Sequence, residues 1–153
     1  MRLKKTVSEI EPSWLTGRSV LVRADYNVPV KDRYITDDRR IQLSLPTLEL
    51  LLGAGAKVIL LSHLGRPGGR VVPELSLAPV VDRLGSLLGM PVEFITDTDP
   101  SKQVSAAQEA SSEQLLMLEN TRFNEGDLTN DSELAMAWAR LGELFVNDAF
   151  GTT

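Results

Sequence analysis

Short unbroken apolar runs alternate with segments of helical spacing along this chain. Five runs predict strands, at Ser19–Arg23, Lys57–Leu61, Val92–Ile95, Leu115–Leu118 and Leu144–Val146. Between the first two, Ile41, Leu45, Leu48 and Leu52 recur at the spacing of one helix face. Pro46 falls inside that pattern and predicts a kink or two short helices, which Gly53 and Gly55 close. Ser76 is placed to cap a helix through Leu88, with Val80, Val81, Leu84, Leu87 and Leu88 facing inward and Gly89 as its stop. A weaker helical pattern covers Ser101–Ala110. Asp131 or Asn130 can cap a helix whose buried stripe is Leu134, Trp138 and Leu141.

Strand, helix, strand, helix, repeated to five strands, predicts an α/β fold with a mostly parallel sheet covered on both faces. In such sheets ligands bind outside the carboxyl ends of the strands. Four of those ends carry Asp, Asn, His or Arg: Asp25–Pro29, Ser62–Gly69, Glu119–Asn124 and Asn147–Thr152. The opposite ends are plainer, as at Gly17-Arg18, Gly55-Ala56, Met90-Pro91 and Gly142-Glu143. The asymmetry puts a candidate site on one rim.

Length and composition narrow the chemistry. The 153 residues suit one domain, and 42% apolar content argues against disorder. With no cysteine and one histidine, disulfides, thiolate metal sites and multi-histidine metal sites are excluded, while a carboxylate or carbonyl magnesium site stays open. The net charge of −5 speaks against a nucleic-acid partner but not against a small anion held by local arginines. Met1–Thr6 is basic but leads into no apolar segment of the kind a secretory signal needs. Gly53, Gly55 and Lys57 break the best membrane-spanning candidate. The expectation is a cytoplasmic protein with no membrane partner.

The stretch Ser62–Gly69 has the composition of an anion site. Gly65 lets the backbone turn and expose its amides, and Arg66 offers a planar fork for phosphate or carboxylate. Each candidate also has an ordinary alternative. Asp25 and Asn27 can shape the turn before Pro29. His63 can be a satisfied core histidine, and Arg66 and Arg122 can be solvated surface residues. Arg39 and Arg40 stand near a helix start, where the dipole disfavours cations. Trp138 and Phe123 suit packing, and the acidic stretch Asn124–Glu133 a solvated loop and helix start. Taken together, arginines, a histidine and an asparagine suit a small phosphorylated or carboxylated substrate, and Asp25 suits a hydroxyl. There is no evident nucleophile and no paired general acid and base. That fits a reaction driven by positioning and charge stabilisation, as phosphoryl transfer is. Yet no G-x-x-x-x-G-K-[ST] or G-x-G-x-x-G tract marks a nucleotide site.

Five tracts resemble phosphoglycerate kinases in order and spacing: Arg23–Pro29, Ile35–Ile41, Ser62–Pro67, Leu118–Phe123 and Val146–Thr152. The resemblance implies a Rossmann-like three-layer αβα domain. It further implies that residues 1–153 are the N-terminal, substrate-binding domain, incomplete at its C-terminus and without the nucleotide-binding domain. Asp25 and Asn27 would contact the glycerate. His63, Arg66 and Arg122 would hold the charged ends of 3-phosphoglycerate or 1,3-bisphosphoglycerate, with Arg66 and Arg122 facing phosphate. Arg40, rather than Arg39, would be catalytic, stabilising charge on the transferring phosphoryl group. Arg23 matches the arginine that opens the first motif. MgATP or MgADP would bind the second domain, so no cofactor is expected on this chain, and the chain alone would be inactive. The family continues Gly-Thr-Ala-His-Arg, with that arginine a further substrate ligand, where this chain reads Gly151-Thr152-Thr153. Uncovered apolar sheet surface is then expected.

Two other readings compete. One is a stand-alone, non-catalytic anion-binding module. The other is a receiver-like signalling domain, which needs an acidic pair after its first strand, an aspartate after its third and a lysine after its fifth. The third strand here leads to Thr96-Asp97 and the fifth to Asn147-Asp148, with no lysine.

Overall fold

The computed structural model of the chain describes residues 4–110 and 115–149. Five parallel strands form one sheet: β1 (Ser19–Ala24), β4 (Lys57–Leu61), β5 (Val92–Ile95), β6 (Leu115–Leu118) and β7 (Leu144–Asp148). Their order across the sheet is β5-β6-β4-β1-β7. A separate hairpin pairs β2 (Val30–Lys31) with β3 (Tyr34–Ile35). The helices are α1 (Pro12–Leu15), α2 (Arg39–Gly53), α3 (Ala78–Leu88), α4 (Pro100–Glu109), α5 (Glu125–Thr129) and α6 (Ser132–Ala139).

Every residue of the central strands β4 and β6 is buried, whereas the edge strands β5 and β7 are only partly covered. Continuous apolar runs are what a strand covered on both faces requires. Alternate side chains sort into two cores. Val20, Val22, Val58, Leu60, Leu115 and Met117 pack with Ile41, Leu48 and Leu51 of α2 and Val80, Val81 and Leu84 of α3. Leu21, Ile59, Leu61, Leu116 and Leu118 pack with Ala107 of α4, Leu134 and Trp138 of α6, and Leu141. The result is the three-layer αβα arrangement expected.

Three local expectations are corrected. Helix α2 runs unbroken through Pro46. The proline removes one donor, the one aimed at the Gln42 carbonyl, and both residues sit on the exposed face where water can replace it. The buried face of α2 is Ile41, Ser44, Leu48 and Leu51, with Leu45 and Leu52 only partly covered. Ser44 is buried because it partners the fully buried Tyr26. Its hydroxyl donates to the Ile41 carbonyl at 2.7 Å, so the Tyr26 hydroxyl is the donor in their 2.8 Å contact. Burial accordingly raises the Tyr26 pKa above its ordinary value. Finally, α3 starts at Ala78 with Leu77 at its N-cap. The Ser76 hydroxyl accepts from the Ala78 N–H at 3.2 Å and donates to Glu119 at 2.7 Å.

Other expectations hold. Gly89 ends α3 in the left-handed region at φ 66°. Asp131 caps α6 through the N–H groups of Glu133 and Leu134. The weaker helical pattern at Ser101–Ala110 is α4, and Asp99, which the pattern did not mark, caps it through Ser101. Lys57, at the plain end of β4, reaches the last carbonyls of α4, those of Ala107 and Ala110. A cation is favoured at that helix end, and burial lowers the lysine pKa. At the β7 edge Phe145 is 59% exposed and Trp14 40%. They line an open groove with Lys4–Glu11, Leu50 and Leu144–Asp148. No described helix is long and apolar enough to cross a membrane.

Candidate functional site

Adjacent strands β4 and β6 send their following segments to opposite faces, β4 toward α3 and β6 toward α6. A crevice opens at such a divergence. A 440 Å³ pocket lies there, lined by Asp25, Asn27, Arg40, His63, Gly65, Arg66 and Arg122. Loops after β1, β4 and β6 and the first turn of α2 therefore supply the wall. The end of β7 does not join them. That strand sits beyond β1 at the sheet edge, and Asn147 and Asp148 line the groove beside Lys4–Glu11 instead. Phe150, Gly151 and Thr152 lie outside the described residues.

Side chains tie the three loops to one another. Asn27 Oδ1, of its side chain, accepts from the Gly65 N–H at 3.0 Å, and Arg122 Nη1 donates to the Gly65 carbonyl at 3.0 Å. The Gly65 amide is thus engaged by Asn27 rather than exposed to an anion, which corrects the expectation drawn from its sequence. Arg40 Nη1 donates to both Asp25 oxygens, at 3.0 and 3.1 Å, and to the Asn27 carbonyl at 3.2 Å. Asp25 also accepts from the Asn27 N–H at 3.2 Å, so it shapes the turn and holds the arginine together. Arg39 turns away and pairs with Asp37 at 2.5 Å, which lowers the Asp37 carboxyl to about 2. Arg66 is exposed and has no partner among the described residues.

Gly65 has φ 63°, and a Cβ there would come within 2.7 Å of Leu75 Cδ2. Gly65→Ala is expected to cost about 2 kcal/mol, from the left-handed backbone and the displaced leucine. Urea unfolding would measure it; an unchanged midpoint would contradict the fit described.

Beneath the pocket lie groups whose importance sequence reading missed. Asn120 is buried between the loops. Its oxygen accepts from the N–H groups of Leu64 (3.3 Å) and Arg122 (3.1 Å), and its amide donates to the carbonyls of Leu64 (2.7 Å) and Leu75 (2.9 Å). Glu119 accepts from Ser76, the Leu77 N–H and the Asn120 N–H. Ser62 accepts from the Tyr26 N–H at 2.9 Å. Only the concentration of polar residues after an all-apolar strand hinted at these roles.

His63 is 4% exposed and faces Arg23. Burial, then the guanidinium groups of Arg122 and Arg23, lower its pKa, with Asp25 and Asp127 opposing. Arg23 is not among the pocket-lining residues. It sits below them, bonded to Thr121 and His63.

A parallel sheet with helices on both faces and a cationic cavity at its strand ends places the chain among the Rossmann-like α/β proteins. The chain belongs to the phosphoglycerate kinase family, whose sequence model matches residues 10–153. A phosphoglycerate kinase of Chloroherpeton thalassium is 50% identical over 151 residues, covering 97% of this chain and 37% of that protein. One of Maricaulis maris is 49% identical, with 94% and 36% covered. The solved phosphoglycerate kinase of Coxiella burnetii superposes with a TM-score of 0.81 at 38% identity, covering 95% of this chain and 35% of that one. The Pyrococcus horikoshii enzyme gives 0.79 at 29% identity, with 90% and 35% covered. The chain thus spans little more than a third of the length of these relatives.

Proposed function

We propose that this chain is the phosphoglycerate-binding part of a phosphoglycerate kinase. That enzyme moves a phosphoryl group reversibly between 1,3-bisphosphoglycerate and ADP, giving 3-phosphoglycerate and ATP. The observation that carries the reading is the pocket lining: among the described residues three arginines and a histidine surround the cavity, and the one carboxylate there, Asp25, is already paired with Arg40. Arg66 and Arg122 hold phosphate, His63 donates to the other charged end, and Asp25 and Asn27 orient the glycerate. Arg40 is 52% exposed and held by Asp25, which leaves the guanidinium facing outward, where a transferring phosphoryl group would sit.

The nucleotide is assigned to the part of the relatives that this chain does not span. Among the described residues no three His, Asp or Glu side chains converge as metal ligands.

Titration calorimetry with 3-phosphoglycerate tests the reading. One-to-one binding is expected, together with no turnover when MgATP and 3-phosphoglycerate are supplied. Absence of binding at millimolar ligand would overturn the substrate assignment. Turnover by the pure chain would overturn the assignment of the nucleotide site elsewhere. Equal binding of sulfate and 3-phosphoglycerate would favour a general anion-binding module instead.

A further inference from the structure

Arg23, Thr121 and Asp127 form a chain of contacts that ends on the one histidine. Arg23 Nη2 lies 3.1 Å from His63 Nδ1. A guanidinium donates and cannot accept, so in this contact Nδ1 is the acceptor and carries no proton. Arg23 Nη1 donates to Thr121 Oγ1 at 3.2 Å, and that hydroxyl donates to Asp127 Oδ2 at 3.0 Å. Asp127 Oδ1 lies 3.9 Å from Arg23 Nη1, with both side chains about four-fifths buried. The three come from β1, the segment after β6, and α5, so the arrangement exists only in the folded chain.

We propose that Arg23, anchored by Thr121 and Asp127, is a positioning residue that fixes the tautomer of His63, so that the imidazole presents Nε2–H to the pocket as a neutral donor. A ring free to choose would present a lone pair to an anion part of the time, and that face repels. With Nδ1 held as acceptor, the donor always faces the cavity. The charged groups around the ring are Arg23 and Asp25 from β1 and its loop, Arg122 from the segment after β6, and Asp127 from α5. The two arginines oppose the imidazolium form, as does burial, so the ring contributes direction rather than charge. Arg23 then serves the anion indirectly, through the ring it holds. The benefit to substrate rests on the phosphoglycerate reading above; the tautomer itself does not.

A single histidine makes the test unambiguous. In ¹⁵N-labelled chain without ligand, long-range ¹H–¹⁵N correlation should show His63 Nε2 protonated and Nδ1 bare. A mixed or Nδ1–H tautomer in this unaltered chain would overturn the proposal with no variant needed. In Arg23→Met, a mixed tautomer and a raised His63 pKa are expected; an unchanged tautomer in the folded variant would also overturn it. Thr121→Val should shift the ring the same way by a smaller amount, and no shift in that variant would remove Thr121 from the anchor. Binding of 3-phosphoglycerate should weaken about five- to tenfold in Arg23→Met. A fixed tautomer together with no response to 3-phosphoglycerate would refute the substrate reading and leave the clamp standing.

Discussion

Arg122→Ala is expected to weaken 3-phosphoglycerate binding by about 10- to 150-fold, the loss that follows from one charge-assisted contact worth ~1.5–3 kcal/mol. Two effects add in this variant. The guanidinium lines the pocket and supplies charge, and its Nη1 also holds the Gly65 carbonyl. Gly65 in turn binds Asn27, so Gly65 loses one of its two described hydrogen bonds when the arginine goes. Arg66→Ala separates the effects. Arg66 is exposed and unpartnered among the described residues, so its removal should lower affinity while leaving the unfolding midpoint in place. Calorimetry and urea unfolding on both variants give the comparison. If both bound 3-phosphoglycerate like the parent chain, the pocket would not be the substrate site.

The largest stability effect is expected at Asn120. Removing its side chain leaves the N–H groups of Leu64 and Arg122 and the carbonyls of Leu64 and Leu75 without partners. Asn120 is 1% exposed, so water has little access to replace it. At ~1–3 kcal/mol for each buried group left unsatisfied, and with some relaxation, Asn120→Ala should cost about 3–5 kcal/mol and lower Tm by about 10 °C. Asn120→Asp is nearly isosteric but should fare no better, because a carboxylate oxygen would face the two carbonyls that now accept from the amide. Thermal unfolding followed by circular dichroism decides it. A loss under 1 kcal/mol in both variants would mean that the loops are held by something else.

The strands were legible because coverage on both faces leaves no room for polar residues. Three of the five predicted strands match their observed bounds; β1 extends by one residue and β7 by two. Helix α2 was half legible. Its apolar spacing revealed the helix and the middle of its face, with Leu45 and Leu52 packed at the margin, but not that Ser44 is buried for the sake of a tyrosine hydroxyl. The β2–β3 hairpin left no signal. Its strands are two residues long, and its turn places Asp32 and Arg33 at positive φ where glycine or asparagine usually marks such turns. The pocket residues were legible through the strand-end rule, since Asp25, Asn27, His63, Arg66 and Arg122 all follow strands. The roles of Asn120, Thr121 and Asp127 were not, because Asn120 bonds Leu64 and Leu75, and the Thr121–Asp127 pair meets Arg23 of β1, all distant in sequence. The acidic stretch Asn124–Glu133, read as solvated, holds Asp127 against a buried arginine.

The strand order also sets a schedule for folding. Strand β1 lies between β4 and β7, and its Val20 pairs with Val58 on one side and Leu144 on the other. As the chain leaves the ribosome, the partner on the first side is made early and the partner on the second more than eighty residues after it. Until then one edge of β1 stands open, a template for strands of other chains. The three loops of the pocket, by contrast, are all present once Arg122 has been synthesised. Ligand-site assembly can therefore precede the docking of β7, and until that strand arrives the otherwise interior β1 is itself an edge.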